Sequence, residues 1–184
     1  GGQISVPMVI RAPTGAGVQL GATHSQSFET WLAEVPGMKV VCPSNPYDAL
    51  GLMRSAIKDN NPVLVAEPAL LYGAKGEVPD EYYEIEIGKA DVTREGSDIT
   101  LVSYGYGMRP TNDAADVLAA RGVSAEVIDL RSLSPVDMEA IVNSVKKTNR
   151  VVVVDNARRK GGVMAEIAAD LQEQASEWLD GPVK

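Results

Sequence analysis

Thiol and imidazole are almost absent from this sequence of 184 residues: Cys42 is its only cysteine and His24 its only histidine. A single cysteine excludes an internal disulfide, a multi-cysteine zinc site and a chelated iron–sulfur cluster, and it fits a reducing compartment. A catalytic triad that needs a second histidine or cysteine is excluded with them. No apolar run approaches the ~18 residues that span a bilayer, and no signal peptide is visible. Positive charge is also scarce, with 17 Lys and Arg against 25 Asp and Glu for a net charge of −8. Phosphate affinity comes mainly from clustered cations, so nucleic acid and anionic membrane are poor partners for this chain. Arg158-Arg159-Lys160 is the one basic cluster, and three charges read as a turn. Neither a phosphate loop ending in Gly-Lys-Ser/Thr nor a Gly-x-Ser-x-Gly elbow occurs.

What is present suits a packed α/β protein. Hydrophobic residues make up 45% and charged residues 23% of the chain, enough for a core and a soluble surface. Val- and Ile-rich runs predict strands over residues 6–11, 39–42, 62–66, 98–104, 125–129 and 150–155. Helical spacing predicts helices over 45–58, 108–121, 136–147 and 163–175, with a short one around 28–32. Ser44 or Asn45 can cap the helix over 45–58, Pro46 suits its first turn, and Ala49, Leu52, Met53, Ala56 and Ile57 share one face. Gly122 stops the helix over 108–121. The run of valines from 151 to 154 predicts a strand buried on both faces. Strand–helix alternation gives open, mainly parallel layers. Residues 73–89, with Gly73, Gly76, Pro79 and several acids, read as a linker between a domain over 1–72 and another over 90–184. The Gly-Gly-Gln start and the end at Lys184 both read as cuts in a longer chain.

Three segments carry chemistry. Gly15-Ala16-Gly17 with Gly21 misses the dinucleotide fingerprint by one residue, leaving a plain turn or a loop that brings backbone close to a ligand. Gly105-Tyr106-Gly107 lacks the third glycine and reads as a turn. His24-Ser25-Gln26 follows the first loop; an imidazole there is either structural or a proton shuttle. Residues 56–62, Ala-Ile-Lys-Asp-Asn-Asn-Pro, end a helix with free carbonyls, one carboxylate and carboxamides. That is a helix C-cap or a set of hard oxygen ligands.

The order and spacing of several blocks resemble one family. They are Val6-Pro7-Met8-Val9-Ile10-Arg11-Ala12-Pro13, Thr23-His24-Ser25-Gln26-Ser27-Phe28, Pro36-Gly37-Met38-Lys39-Val40-Val41, the stretch over 55–62, Asp129-Leu130-Arg131-Ser132-Leu133-Ser134-Pro135-Val136-Asp137 and Gly161-Gly162-Val163-Met164-Ala165-Glu166-Ile167. The resemblance is to the beta chain of the thiamine-diphosphate-dependent decarboxylating component of 2-oxo acid dehydrogenases, in the transketolase superfamily. Pyruvate, branched-chain 2-oxo acid and acetoin dehydrogenases share that chain. It implies part of a pyrimidine-binding parallel-sheet domain followed by a transketolase C-terminal-type α/β domain. It implies oxidative decarboxylation of a 2-oxo acid, or carbon–carbon cleavage of acetoin, with acyl transfer to a lipoyl group.

By the same resemblance His24 is the catalytic histidine facing the reacting carbon. Met8, Ala56, Ile57, Asp59 and Asn61 would hold a potassium ion, mainly through backbone carbonyls, with Asp59 adding the one negative charge. Thiamine diphosphate is shared with an alpha subunit that carries the magnesium. No residue here matches the glutamate that contacts the aminopyrimidine, since Glu29 and Glu34 come too late in the order. The partners implied are an alpha subunit in an α2β2 assembly, a second beta subunit and a lipoyl-bearing acyltransferase core. The implied location is the bacterial cytoplasm or the mitochondrial matrix, and the chain alone is expected to be inactive. A non-catalytic assembly fragment is the alternative. A sugar-phosphate transketolase is disfavoured by the single histidine.

Overall fold

A computed structural model describes residues 3–15 and 17–184; Gly1, Gly2 and Ala16 of the first glycine loop lie outside the described residues. Two four-stranded sheets organise the chain. In the first, β1 (Val9–Thr14), β3 (Val63–Pro68) and β2 (Lys39–Val41) run parallel. The fourth strand, β7 (Ser132–Ser134), comes from the second half of the chain and pairs antiparallel with β2. In the second sheet β6 (Ala125–Asp129), β5 (Ile99–Ser103) and β8 (Val151–Val153) are parallel, and β4 (Asp91–Arg94) adds an antiparallel edge. Five α-helices connect them: α1 (Glu29–Ala33), α2 (Pro46–Lys58), α3 (Met108–Ala119), α4 (Met138–Thr148) and α5 (Val163–Gln174).

Side-chain alternation assigns each strand face a neighbour. Val63 and Val65 of β3 point with Val41 into a cluster containing Leu52 and Ala56 of α2. Leu64 and Ala66 point the other way with Val40 and Cys42. That second cluster does not end within the first sheet. It continues through Tyr104, Val102, Ile128 and Leu130 to Ile141, Ile167 and Leu171, so both halves share one apolar core. Leu101, Val127 and Ala125 form a third cluster with Met108 and Ala115 of α3.

Several elements differ from the sequence reading for identifiable reasons. The first strand runs over Val9–Thr14 rather than 6–11. Pro7 has no N–H to donate, and ladder pairing with β3 begins at Val9. The helix capped by Asn45, whose side chain accepts from Asp48 N at 2.8 Å, buries Gly51, Leu52 and Ala56 but leaves Ile57 exposed. Its buried stripe is turned because Ile85 and Tyr83 of the following segment pack against Gly51. That segment, over 73–89, has no helix or strand but is fastened to α2: Ser55 Oγ donates to Ile85 O at 2.5 Å and Arg54 to Tyr83 O at 3.2 Å. The valine run is not buried on both faces. Only Val151 is buried, because β8 is an edge strand whose outer side is bonded by Lys184.

Candidate functional site

Residues 15 and 17–28, between β1 and α1, are irregular loop. Gly15, Gly17 and Gly21 have φ of 97°, 103° and 81°, a region that L side chains avoid. A Cβ on Gly17 would come within 2.6 Å of Leu70 Cδ1. Ser25 Oγ accepts from Leu20 N at 2.9 Å, and Gln26 Nε2 donates to Ala22 O at 2.7 Å, so the loop is braced from within. His24 lies exposed in it, its backbone N–H bonded to Gly21 O at 3.3 Å. Two cavities flank this loop. One of about 370 Å³ is bordered by Thr14, Leu20, His24 and Phe28. The other, of about 470 Å³, lies between Ser25, Gln26 and Trp31 on one side and Asn156, Arg158 and Lys160 on the other. Arg158 Nη2 donates to Gln26 Oε1 at 2.5 Å across it. An accessible imidazole bordering the first of these cavities can exchange protons with a molecule bound there.

Beneath the loop lies a buried polar group absent from the sequence reading. Thr14 Oγ1 donates to Glu29 Oε2, and Glu29 is only 2% exposed. Tyr104 Oη lies 3.4 Å from Glu29 Oε1 and 3.0 and 3.1 Å from the two Asp155 oxygens. Burial pushes the Glu29 carboxyl upward, and the Asp155 charge adds to it, against the Thr14 and Tyr104 hydrogen bonds. Burial raises Asp155 likewise, opposed by the Ala157 N–H and Tyr104. Cys42 is fully enclosed, and burial first, then its acidic surroundings, drives its thiol well up, which leaves it no nucleophilic thiolate. A Cβ on Gly105 would meet Cys42 Sγ at 2.7 Å and Pro68 Cγ at 3.0 Å, so the glycine turn lets the halves close on one another.

The block from Asp129 to Asp137 stitches the halves together. Arg131, at φ 57°, reaches Asp48 at 2.8 Å and Asp91 at 2.9 Å, and its carbonyl accepts from Cys42 N at 2.8 Å. Asp129 accepts from Ser44 Oγ and from Arg131 N at 3.1 Å. Burial, with Asp48 nearby, pushes its carboxyl up to about 7 against those hydrogen bonds and the Arg131 charge. Asp137 caps α4, accepting from Ala140 N at 3.2 Å.

The residues read as cation ligands lie where β1, β3 and the end of α2 meet. Met8 O already accepts from Val63 N at 2.9 Å, and Ala56 O from Asp59 N at 3.3 Å. Asp59 differs from its expected role. Its carboxylate pairs with Lys39 and accepts from Asn61 N and Nδ2, both at 2.8 Å. Burial would raise its pKa, but those contacts outweigh it and lower it. Its charge is therefore matched by an ammonium, and a cation would have to rely on carbonyls. Among the described residues no cluster of three or more His, Cys, Asp and Glu is placed to hold a metal, and no helix is long and apolar enough to cross a membrane.

Sequence reasoning singled out His24 as a candidate but not the meeting of Glu29, Tyr104 and Asp155, which depends on the packing of the halves. Residues 1–75 match the family described as transketolase, pyrimidine binding domain, and residues 88–184 match transketolase, C-terminal domain. The acetoin:2,6-dichlorophenolindophenol oxidoreductase subunit beta of Bacillus subtilis (strain 168) is 46% identical over the whole chain, which covers 54% of that protein. The pyruvate dehydrogenase E1 component subunit beta of the same organism is also 46% identical, with 57% of its length covered. Its counterpart in Staphylococcus epidermidis is 48% identical, again with 57% covered. The chain thus spans a little over half the length of these relatives. A solved structure titled split gene transketolase, inactive beta4 tetramer, superposes with a TM-score of 0.79 at 27% identity, over 99% of this chain and 58% of that one.

Proposed function

The chain belongs to the transketolase family, and from that premise we propose that it is part of the beta subunit of a thiamine-diphosphate-dependent 2-oxo acid dehydrogenase. The reaction is oxidative decarboxylation of a pyruvate-like 2-oxo acid with acyl transfer to a lipoyl group. The observation that carries this reading is 46–48% identity along the whole chain to proteins named as beta subunits of pyruvate dehydrogenase and of an acetoin oxidoreductase. The acetoin relative, as similar as the pyruvate ones, supports acetoin cleavage as the second reading. The cofactor supplies the electron sink, and the protein positions the substrate and moves protons. An alpha subunit completing an α2β2 assembly holds the diphosphate and its magnesium. A second beta subunit and a lipoyl-bearing acyltransferase core are the other partners.

His24 donates and accepts the proton at the reacting carbon. Its exposed position at the border of the cavity of about 370 Å³ supports that role. The test pairs the full-length beta subunit with its alpha subunit on pyruvate, a branched-chain 2-oxo acid and acetoin. His24→Ala is expected to lower lipoyl acylation by about 10²–10⁴-fold. Stability is expected to change by no more than about 0.5 kcal/mol, since the side chain is exposed. Undiminished acylation removes His24 from the chemistry. Absence of turnover on all three substrates, with no heat on adding thiamine diphosphate, favours an assembly fragment instead.

Potassium is proposed on the carbonyls of Met8, Ala56, Ile57, Asp59 and Asn61, with the Asp59 carboxylate left to Lys39. Neutral oxygens suit an ion of low charge density. The thermal midpoint in potassium chloride is expected to exceed that in choline chloride at equal ionic strength, because only the native state binds the ion. Equal midpoints remove the site.

A further inference from the structure

We propose that Glu29 is held as a neutral carboxylic acid and acts as the clasp that positions the His24 loop against the second half of the chain. Thr14 is the last residue of β1 and Glu29 the first of α1, so their side-chain hydrogen bond closes the base of the loop that carries His24. A second rung lies above it, where Gly15 N donates to Gln26 O at 3.2 Å. From the other half, Tyr104 meets Glu29 and Asp155 at once.

Counting hydrogens assigns the proton. Tyr104 has one O–H, and its oxygen touches two carboxyl groups, at 3.4 Å and at 3.0–3.1 Å. If the phenol donates to Asp155, the Glu29 contact needs a proton of its own; if it donates to Glu29, the Asp155 contact does. Glu29 is the deeper of the two, at 2% exposure. Asp155 has the Ala157 N–H at 2.8 Å to stabilise its charge, and Glu29 has the Thr14 hydroxyl on Oε2, which leaves Oε1 to carry a proton. The proton therefore sits on Glu29 Oε1, which donates to Tyr104, which donates to the Asp155 carboxylate. The groups facing Glu29 are Thr14 from β1, Cys42 from the end of β2, Tyr104 from the end of β5 and Asp155 after β8. None is cationic, and among the described residues neither carboxyl forms an ion pair. Burial accordingly raises the Glu29 pKa. Losing the proton places a charge beside Asp155 and breaks the Tyr104 rung, which frees the base of the loop.

The catalytic meaning of the clasp rests on the reading of His24 given above, but the test involves no turnover, so either can fail alone. Infrared difference spectra of the chain at neutral pH, wild type minus Glu29→Gln, are expected to show a carboxylic-acid C=O band that survives in Asp155→Asn. The difference cancels any acid band from Asp129. The thermal midpoint of the wild type is expected to fall as pH rises above the ordinary carboxylate range, because the folded state keeps a proton that the unfolded state gives up. Glu29→Gln, which mimics the neutral acid, is expected to show a shallower fall and to keep the loop resistant to proteolysis near His24. Glu29→Ala is expected to make the loop cleavable. An unchanged pH slope in Glu29→Gln overturns the proposal. So does a band lost in Asp155→Asn but kept in Glu29→Gln. Should Glu29→Gln fail to fold, the wild type and Asp155→Asn decide: an acid band confined to the wild type places the proton on Asp155 and overturns it.

Discussion

Asp129 shows how far a single side chain can be taken from its solution behaviour. It has no exposed surface, yet among the described residues its compensating contacts are the Ser44 hydroxyl, the Arg131 N–H and a guanidinium already shared between Asp48 and Asp91. Its carboxyl titrates at about 7, so between the unfolded value of about 3.9 and 7 the folded state holds a proton that the unfolded state has lost. The stabilisation is complete below the unfolded value and is lost as pH rises through 7. Asp129→Asn, which cannot titrate, is expected to flatten the fall in thermal midpoint between pH 5 and pH 7.5; an unaltered slope shows that the proton is held elsewhere. Neither Asp129 nor Glu29 was legible as a buried acid in the sequence. Glu29 opens a short helix, where an acid is ordinary, and its burial depends on a tyrosine 75 residues away. His24 could be singled out as a candidate because its whole motif lies within one loop.

Among the elements, α2 shows which signals survive folding. Asn45 and Pro46 marked its start, and both hold the expected places. Its buried face was misjudged at Ile57, because the stripe is set by the segment over 73–89, which has no periodicity to read. Gly51 is the point of contact. A Cβ there would lie 2.6 and 2.7 Å from Ile85 Cγ1 and Cδ1 and 2.9 Å from Tyr83 Cε2. In an exposed helix Gly→Ala stabilises by about 1 kcal/mol. Here the overpacking cost of about 1–3 kcal/mol wins, and Gly51→Ala is expected to lower the urea midpoint. A raised midpoint means that the segment yields freely. The short strands β4 and β7 left no signal for a related reason. Asp91–Arg94 is largely polar and Ser132–Ser134 is three residues long, so partners rather than intrinsic pattern make them strands.

For the whole molecule, alternation of strands and helices was enough to give the α/β class, but nothing in it showed that the parts on either side of the segment over 73–89 share a core. Val40, Leu64, Tyr104, Ile128 and Ile141 belong to one cluster, and Arg131 bridges acids from both halves. Calorimetry is therefore expected to show one transition whose calorimetric and van't Hoff enthalpies agree. Two resolved transitions mean that the halves hold themselves together separately. The strand β7 carries this interdependence into synthesis. The edge of the first sheet at β2 is closed only by Ser132–Ser134, which pair with Val40 and Val41. A ribosome finishes β1, β2 and β3 and must then thread out everything between Pro68 and Ser132 before the closing strand exists. At ~5–20 residues per second that interval is on the order of 3–13 s. Throughout it the nascent chain presents a bare β-edge to every other chain in the cell, so its yield rests on what shields that edge during translation as well as on the stability of the finished fold.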